Sequence, residues 1–260
     1  MWDKKRINLI PVKEIGRSKK ILVAAHRGSS GTAPENTLAA FREAVDTGAN
    51  FVEADVQVTL DGKFIAFHDK NLSRTTDVRG KVGDLKYEQF RNADAGSWFN
   101  EKFKNEHVPL LSDLIKIIKG KSYLNIELKN ISGEGLGDNI EKVIEIIHDE
   151  EFEDYTVFSS FYYDTLYRLK KKYPKFPVAA IRIPREKRLP SEILSKIGAD
   201  GFIAQDSEFT QEVINDIVRN NIYSAVYLIN TEEEFKRAMK LPVRVLVTNF
   251  PARIINFLNR

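Results

Sequence analysis

The chain has 260 residues, 42% hydrophobic and 30% charged, which is ordinary for a globular protein able to bury a sizeable core. Its 40 Lys plus Arg and 37 Asp plus Glu leave a net charge of +3 with the signs interleaved, so no nucleic-acid partner is indicated. The absence of cysteine excludes disulfides, thiolate metal sites and a cysteine nucleophile.

The opening MWDKKRINLIPVKEIGRSKK contains no apolar leader core, and no later run approaches the roughly 18 apolar residues of a membrane span. The expectation is a cytoplasmic protein without a stable membrane anchor, or a secreted one if a leader was removed. Nothing in the sequence fixes an oligomeric state.

The first apolar run, ILVAAH at 21–26, ends in His26 and Arg27 and opens into a loop of Gly, Ser and Thr. Two ionisable groups placed where a strand leaves the core are poorly explained by packing. A helix is predicted at about 37–47, with Leu38, Phe41 and Val45 on one face, Asn36 as N-cap and Gly48 as its stop.

FVEADVQVT at 51–59 follows, and Asp61-Gly62 before KFIAFHD signals a hairpin. A two-residue loop would pair Val58 with Ile65, Val56 with Phe67 and Asp55 with His68. Val56, Val58, Ile65 and Phe67 would then share an apolar face, and Glu53, Asp55, Gln57 and His68 the opposite one. A plain surface hairpin pairing Asp with His is the alternative.

Residues 69–107 break the rhythm of short elements, and Trp98, Phe99 and Phe103 lie close together within them. This stretch reads as an insertion with a small apolar cluster, ordered as a cap over the barrel mouth.

Alternation resumes with YLNIELK at 123–129, a helix near 138–149, YTVFSS at 155–160, a helix near 162–172 and VAAIR at 178–182. It ends with GFIA at 201–204, a helix near 210–220, IYSAVYLI at 222–229, a helix near 231–239 and VRVLVT at 243–248. Strands alternating with helices argue for parallel βαβ units, and eight of them for an α/β TIM (β/α)8 barrel with a small insertion between early strands. The expected organisation is a single domain over 1–260.

In YLNIELK, Leu124, Ile126 and Leu128 would face helices while Glu127, with Lys129, points into the barrel. A Glu–Lys pair that only satisfies itself at the rim is the alternative. Glu53, Asp55 and Glu127 together supply three carboxylates suited to a hard divalent cation, Mg2+ or Ca2+. His26 and His68 suit proton transfer near neutral pH, and Arg27 and Lys129 are cations for a phosphate. The inventory is that of metal-assisted phosphodiester cleavage.

H-R-G at 26–28, P-E-N-T at 34–37, E-A-D at 53–55, H-D at 68–69, R-T-T at 74–76 and I-E-L-K at 126–129 resemble the glycerophosphodiester phosphodiesterase family. DAGSWF in the insertion, VPLLSDLI after it, SSF at 159–161 and VTNFP at 247–251 extend the resemblance over nearly the whole chain. It implies a metal-dependent TIM barrel that hydrolyses small-molecule glycerophosphodiesters to glycerol 3-phosphate and an alcohol. By resemblance His26 and His68 are catalytic, Glu53, Asp55 and Glu127 hold the metal, and Arg27 and Lys129 bind phosphate.

Tyr227, where such enzymes often carry tryptophan, and Asn249, where aspartate is common, depart from the pattern on the side of the mouth expected to meet the alcohol. Tyr227 and Phe161 are candidate substrate contacts, with barrel core as the alternative for Phe161. Glu35 and Asn36 read as ordering the loop and the helix start. Rival readings are a related barrel phospholipase of the sphingomyelinase D kind, a non-catalytic phosphate-ligand barrel, and an aldolase or isomerase barrel, which the paired histidines fit poorly.

Overall fold

The computed structural model describes residues 9–15, 20–129 and 136–260. Part of the opening stretch read above for a leader, residues 1–8 and 16–19, lies outside the described residues. Chain order begins with a short helix α1 (Val12–Ile15), strand β1 (Leu22–Ala25), helix α2 (Leu38–Asp46), and the hairpin strands β2 (Phe51–Val58) and β3 (Phe64–Ala66). After α3 (Leu111–Ile118) come β4 (Tyr123–Leu128), α4 (Leu136–Asp149), β5 (Thr156–Ser160), α5 (Tyr163–Lys172), β6 (Val178–Ile181) and α6 (Pro190–Ile197). The chain closes with β7 (Gly201–Gln205), α7 (Gln211–Arg219), β8 (Tyr223–Tyr227), α8 (Glu232–Ala238), β9 (Val245–Thr248) and α9 (Pro251–Leu258).

Eight of these strands are parallel neighbours in the order β1, β9, β8, β7, β6, β5, β4, β2, and pairing of β1 with β2 closes the ring. The structure is the (β/α)8 barrel that the alternation predicts. Val52, Ala54 and Val56 of β2 and Leu124, Ile126 and Leu128 of β4 point outward into the main core shared with the helices. Their alternating neighbours, Glu53, Asp55 and Glu127, are therefore turned inward. No helix among the described residues is long and apolar enough to cross a membrane.

Four described helices that periodicity does not announce are short: α1 has 4 residues, and α3, α6 and α9 have 8 each. Proline at the start of α6 and α9 was a usable signal, since it suits the first helical turn. Thr37, not Asn36, caps α2: its hydroxyl accepts from Ala40 N at 3.3 Å. Asn36 is left free for another task.

The hairpin register is one residue away from the expected one. Val56 pairs with Ala66, Gln57 with Ile65 and Val58 with Phe64. The loop has three residues instead of two, because Thr59 N donates to Lys63 O at 2.9 Å and the Thr59 hydroxyl accepts from Lys63 N at 3.0 Å. Gly62 takes the left-handed conformation this loop needs, at φ +75°. A one-residue slip exchanges faces. Phe64 and Ala66 join the main core, while Ile65 and Phe67 turn to a separate cluster with Leu72, Val82, Phe90 and Val108.

That cluster anchors residues 69–107, which fold into 3-10 turns at Leu72–Arg74, Val82–Asp84, Tyr87–Gln89 and Glu101–Phe103. Its core differs from the expected trio. Trp98, Phe99 and Phe103 instead form an edge-to-face row, with centroids 5.7 and 5.9 Å apart, and Trp98 remains exposed.

Candidate active site

The inward residues meet at the C-terminal ends of the strands. Parallel register puts Asp55 directly beside Glu127, and Glu53 beside Asn125, across β2 and β4. Carboxylate oxygens of Glu53, Asp55 and Glu127 all lie within 4.8 Å of one another, and all three residues are buried.

Two cations flank this group. Arg27 Nε lies 3.1 Å from Asp55 Oδ2, and Lys129 Nζ lies 2.8 Å from Asp55 Oδ1 while also donating to Glu127 Oε1. The sequence step from β1 into its loop makes the Arg27 placement: Arg27 and Gly28 both take positive φ, 56° and 78°. A Cβ on Gly28 would stand 2.6 Å from the Ala40 carbonyl carbon, so the loop packs directly on the α2 backbone. The turn aims Arg27 N at Glu53 Oε2, 2.8 Å away. Asn36, freed from capping, donates from Nδ2 to Asp55 Oδ2 at 2.8 Å.

Electrostatics separate the three carboxyls. Burial raises them all, yet Lys129 and Arg27 more than offset it at Asp55 and hold that group at about 2. Burial and the charges of Asp55 and Glu127 push Glu53 well above the usual carboxylate range. Glu127 is raised by burial and by Asp55. Asp55 and Glu127 in turn overcome the cost of burial at Lys129 and keep it charged. Glu53 Oε1 is buried without a hydrogen-bond partner among the described residues. A buried, unpartnered carboxylate oxygen beside two more carboxylates is what a bound cation would satisfy. With oxygen donors alone, the set fits a hard divalent ion better than a soft one.

The histidines come from different loops, after β1 and after β3. His26 follows β1, and its Nδ1–H donates to Asn249 Oδ1 at 2.7 Å, leaving Nε2 free. Burial, with Arg27 beside it, lowers this imidazole to about 4. His68 lies beyond the end of β3, so the ladder does not place it. Gln57 does: its amide donates to the carbonyls of Phe67 and Asp69 at 2.8 and 2.7 Å, clamping the backbone on both sides of His68. His68 Nδ1 meets Asp69 Oδ1 at 2.5 Å. The charges of both histidines bear on Asp55. The shifted hairpin register therefore still brings imidazole and carboxylates to one mouth.

Tyr227 ends β8, and its hydroxyl is raised to about 12 by burial and by the Glu208 and Glu127 charges, so it borders the same mouth. Phe161 immediately follows β5 and is half-buried, outside the core clusters. Asn249, expected on the alcohol side, holds His26. Asp69 and Arg74, which belong to the H-D and R-T-T motifs, are functional candidates that sequence alone does not single out. Their contacts join distant loops, which spacing along the chain does not reveal.

A family model described as the glycerophosphoryl diester phosphodiesterase family matches residues 26–253. The chain belongs to this family. It is similar to a glycerophosphodiester phosphodiesterase of Caldanaerobacter subterraneus, 33% identical over 93% of this chain and 99% of that one. A glycerophosphodiester phosphodiesterase of Bacillus altitudinis is also 33% identical, over 90% of this chain and 96% of its own. In structure the chain is similar to a phosphodiesterase of Oleispira antarctica determined in complex with the product sn-glycerol-3-phosphate. That likeness has a TM-score of 0.86 at 30% identity and covers 94% of this chain and 99% of the other. Barrel and phosphodiesterase class thus agree with the expectations drawn from the motifs.

Proposed function

We propose that this phosphodiesterase hydrolyses glycerophosphodiesters to glycerol 3-phosphate and an alcohol, with His26 and His68 as its acid–base pair. The observation that carries the reading is the meeting of three buried carboxylates, two cations and two imidazoles at one barrel mouth. The product held by the Oleispira antarctica relative supports the choice of substrate.

Glu53, Asp55 and Glu127 would hold the divalent cation, Mg2+ or Ca2+. Bound there, it would neutralise the carboxylates and polarise a phosphate oxygen. Arg27 and Lys129, fixed on the two oxygens of Asp55, share the phosphate charge, which grows as the bond to the alcohol breaks. His26 is the base. A neutral amide holds its protonated Nδ1, so Nε2 is ready to take the proton of the nucleophile, which is water or a glycerol hydroxyl whose cyclic phosphate water then opens. His68 is the acid. The Asp69 carboxylate on Nδ1 orients the ring, whose other nitrogen gives its proton to the leaving alcohol oxygen. Tyr227 and Phe161 border the space for the alcohol, and residues 69–107 serve as a cap on a single-domain barrel.

His26→Ala and His68→Ala should each lower turnover by about 10² or more while metal binding persists. A near-wild-type rate for either removes that residue's role. Soluble glycerophosphocholine should be cleaved in preference to phospholipid vesicles. The opposite preference would favour the lipid-acting reading, and binding without turnover the non-catalytic one.

A further inference from the structure

Arg74 stands outside the barrel. It ends the 3-10 turn Leu72–Arg74, which is anchored by Leu72, a fully buried member of the apolar cluster beneath residues 69–107. From this base the guanidinium reaches two carboxylates on different loops. Nη1 and Nη2 donate to Glu35 Oε2 and Oε1 at 3.0 and 2.7 Å. Nε and Nη2 donate to Asp69 Oδ2 and Oδ1 at 2.5 and 3.2 Å.

Each carboxylate passes the contact to a group of the proposed reaction. Glu35 Oε1 also accepts from Arg27 Nη1 at 2.8 Å, and Asp69 Oδ1 from His68 Nδ1 at 2.5 Å. A continuous chain of hydrogen-bonded ionisable groups thus runs Arg27, Glu35, Arg74, Asp69, His68. Its ends are the phosphate-binding cation and the proton donor. A lone exposed ion pair contributes little to stability. Here a planar fork makes four bonds to two carboxylates, a geometry that lysine cannot reproduce. Arg74 also occupies the second oxygen of Asp69 and lowers that carboxyl. Asp69 therefore orients the His68 imidazole while sharing its own negative charge with Arg74.

We infer that Arg74 is a positioning residue for the reaction, holding His68 through Asp69 and Arg27 through Glu35 so that proton donor and phosphate cation keep one mutual geometry. This rests on the acid–base reading above.

The test compares two leaving groups in the metal-loaded full chain. Choline, released from glycerophosphocholine, is a poor leaving group that needs a proton. p-Nitrophenolate, released from glycerol p-nitrophenyl phosphate, does not. Arg74→Gln should lower kcat on glycerophosphocholine by about tenfold or more, change kcat on the nitrophenyl substrate by less than about threefold, and raise KM for both through the loosened Arg27. Arg74→Lys should restore only part of the loss. Unchanged kcat and KM, or equal kcat losses on both substrates with a lowered melting temperature, would overturn the inference. Should Arg74→Gln not fold, Asp69→Asn, which keeps the Arg74–Glu35 pairing, carries the same comparison. His68→Ala separates the two levels. If it is inactive on glycerophosphocholine while Arg74→Gln behaves as wild type, the role of Arg74 falls and the acid–base reading stands; if it is fully active, both fall.

Discussion

Asp55 and Glu127 are lateral partners in the parallel pairing of β2 and β4, so two buried carboxylates are forced side by side by backbone register. Lys129 bridges them, contacting both. Glu53 lies on the same face of β2 as Asp55 and adds a third carboxyl, with one oxygen unpartnered among the described residues. The mouth is thus strained electrostatically by construction, and the strain has consequences away from catalysis.

Glu53→Gln should raise the melting temperature of the metal-free protein, because it removes the carboxyl that burial and its two neighbours disfavour most. Arg27 N keeps an acceptor in the amide oxygen. The same variant should lose the thermal shift that Mg2+ or Ca2+ gives the wild type. Calorimetry in EDTA and in added cation reads both effects. A full metal-induced shift in Glu53→Gln would remove Glu53 from the ligand set.

Asn36→Ala should weaken metal binding by about 10- to 100-fold. Its amide orients Asp55 from behind, accepting from Asp55 N at 3.3 Å and donating to Asp55 Oδ2. Titration calorimetry measures the change, and an unaltered affinity would contradict this role. Helix α2 should survive, since Thr37 provides its cap.

Acid sensitivity should carry a His26 signature. Its imidazole is lowered from 6.5 to about 4, mainly by burial. Between those values the unfolded chain binds a proton that the folded chain excludes. The contribution to stability is therefore complete above pH 6.5 and is lost as pH falls toward 4. Asp55, lowered from 3.8 to about 2, acts in a separate and more acidic window. Urea unfolding of wild type and His26→Gln across pH 7 to 4 should show the steeper loss in the wild type. Parallel curves would contradict the buried, neutral state of His26.

Gly96→Ala should destabilise residues 69–107. A Cβ there would stand 1.8 Å from the Phe103 carbonyl oxygen, and backbone cannot yield as a flexible side chain would. A loss of about 1–3 kcal/mol is expected, read by denaturation together with faster proteolysis within the segment. Wild-type stability would show that this close approach is not required.

Much of the site was legible because the signals are local. Alternation in FVEADV and YLNIEL tells which residues turn inward, and eight alternating units tell that inward means a shared lumen. Non-local choices were not legible. The hairpin register hinges on the Thr59 hydroxyl closing a three-residue loop, with Leu85 O and the Tyr87 backbone holding that loop from the inserted segment. Asn36 could have capped α2 on sequence grounds, but Thr37 does so while Asp55 claims Asn36. Arg74 and Asn249 matter through partners 39 and 223 residues away, beyond any local spacing rule.

The central claim is that three carboxylates on two strands make a cation site on which phosphodiester cleavage depends. Release of glycerol 3-phosphate from glycerophosphocholine should be followed with the EDTA-stripped full chain before and after adding Mg2+, Ca2+ or Mn2+. The expected result is no release from the stripped protein and restored release with at least one cation. Undiminished release in EDTA, or none with any cation despite measured binding, would contradict it.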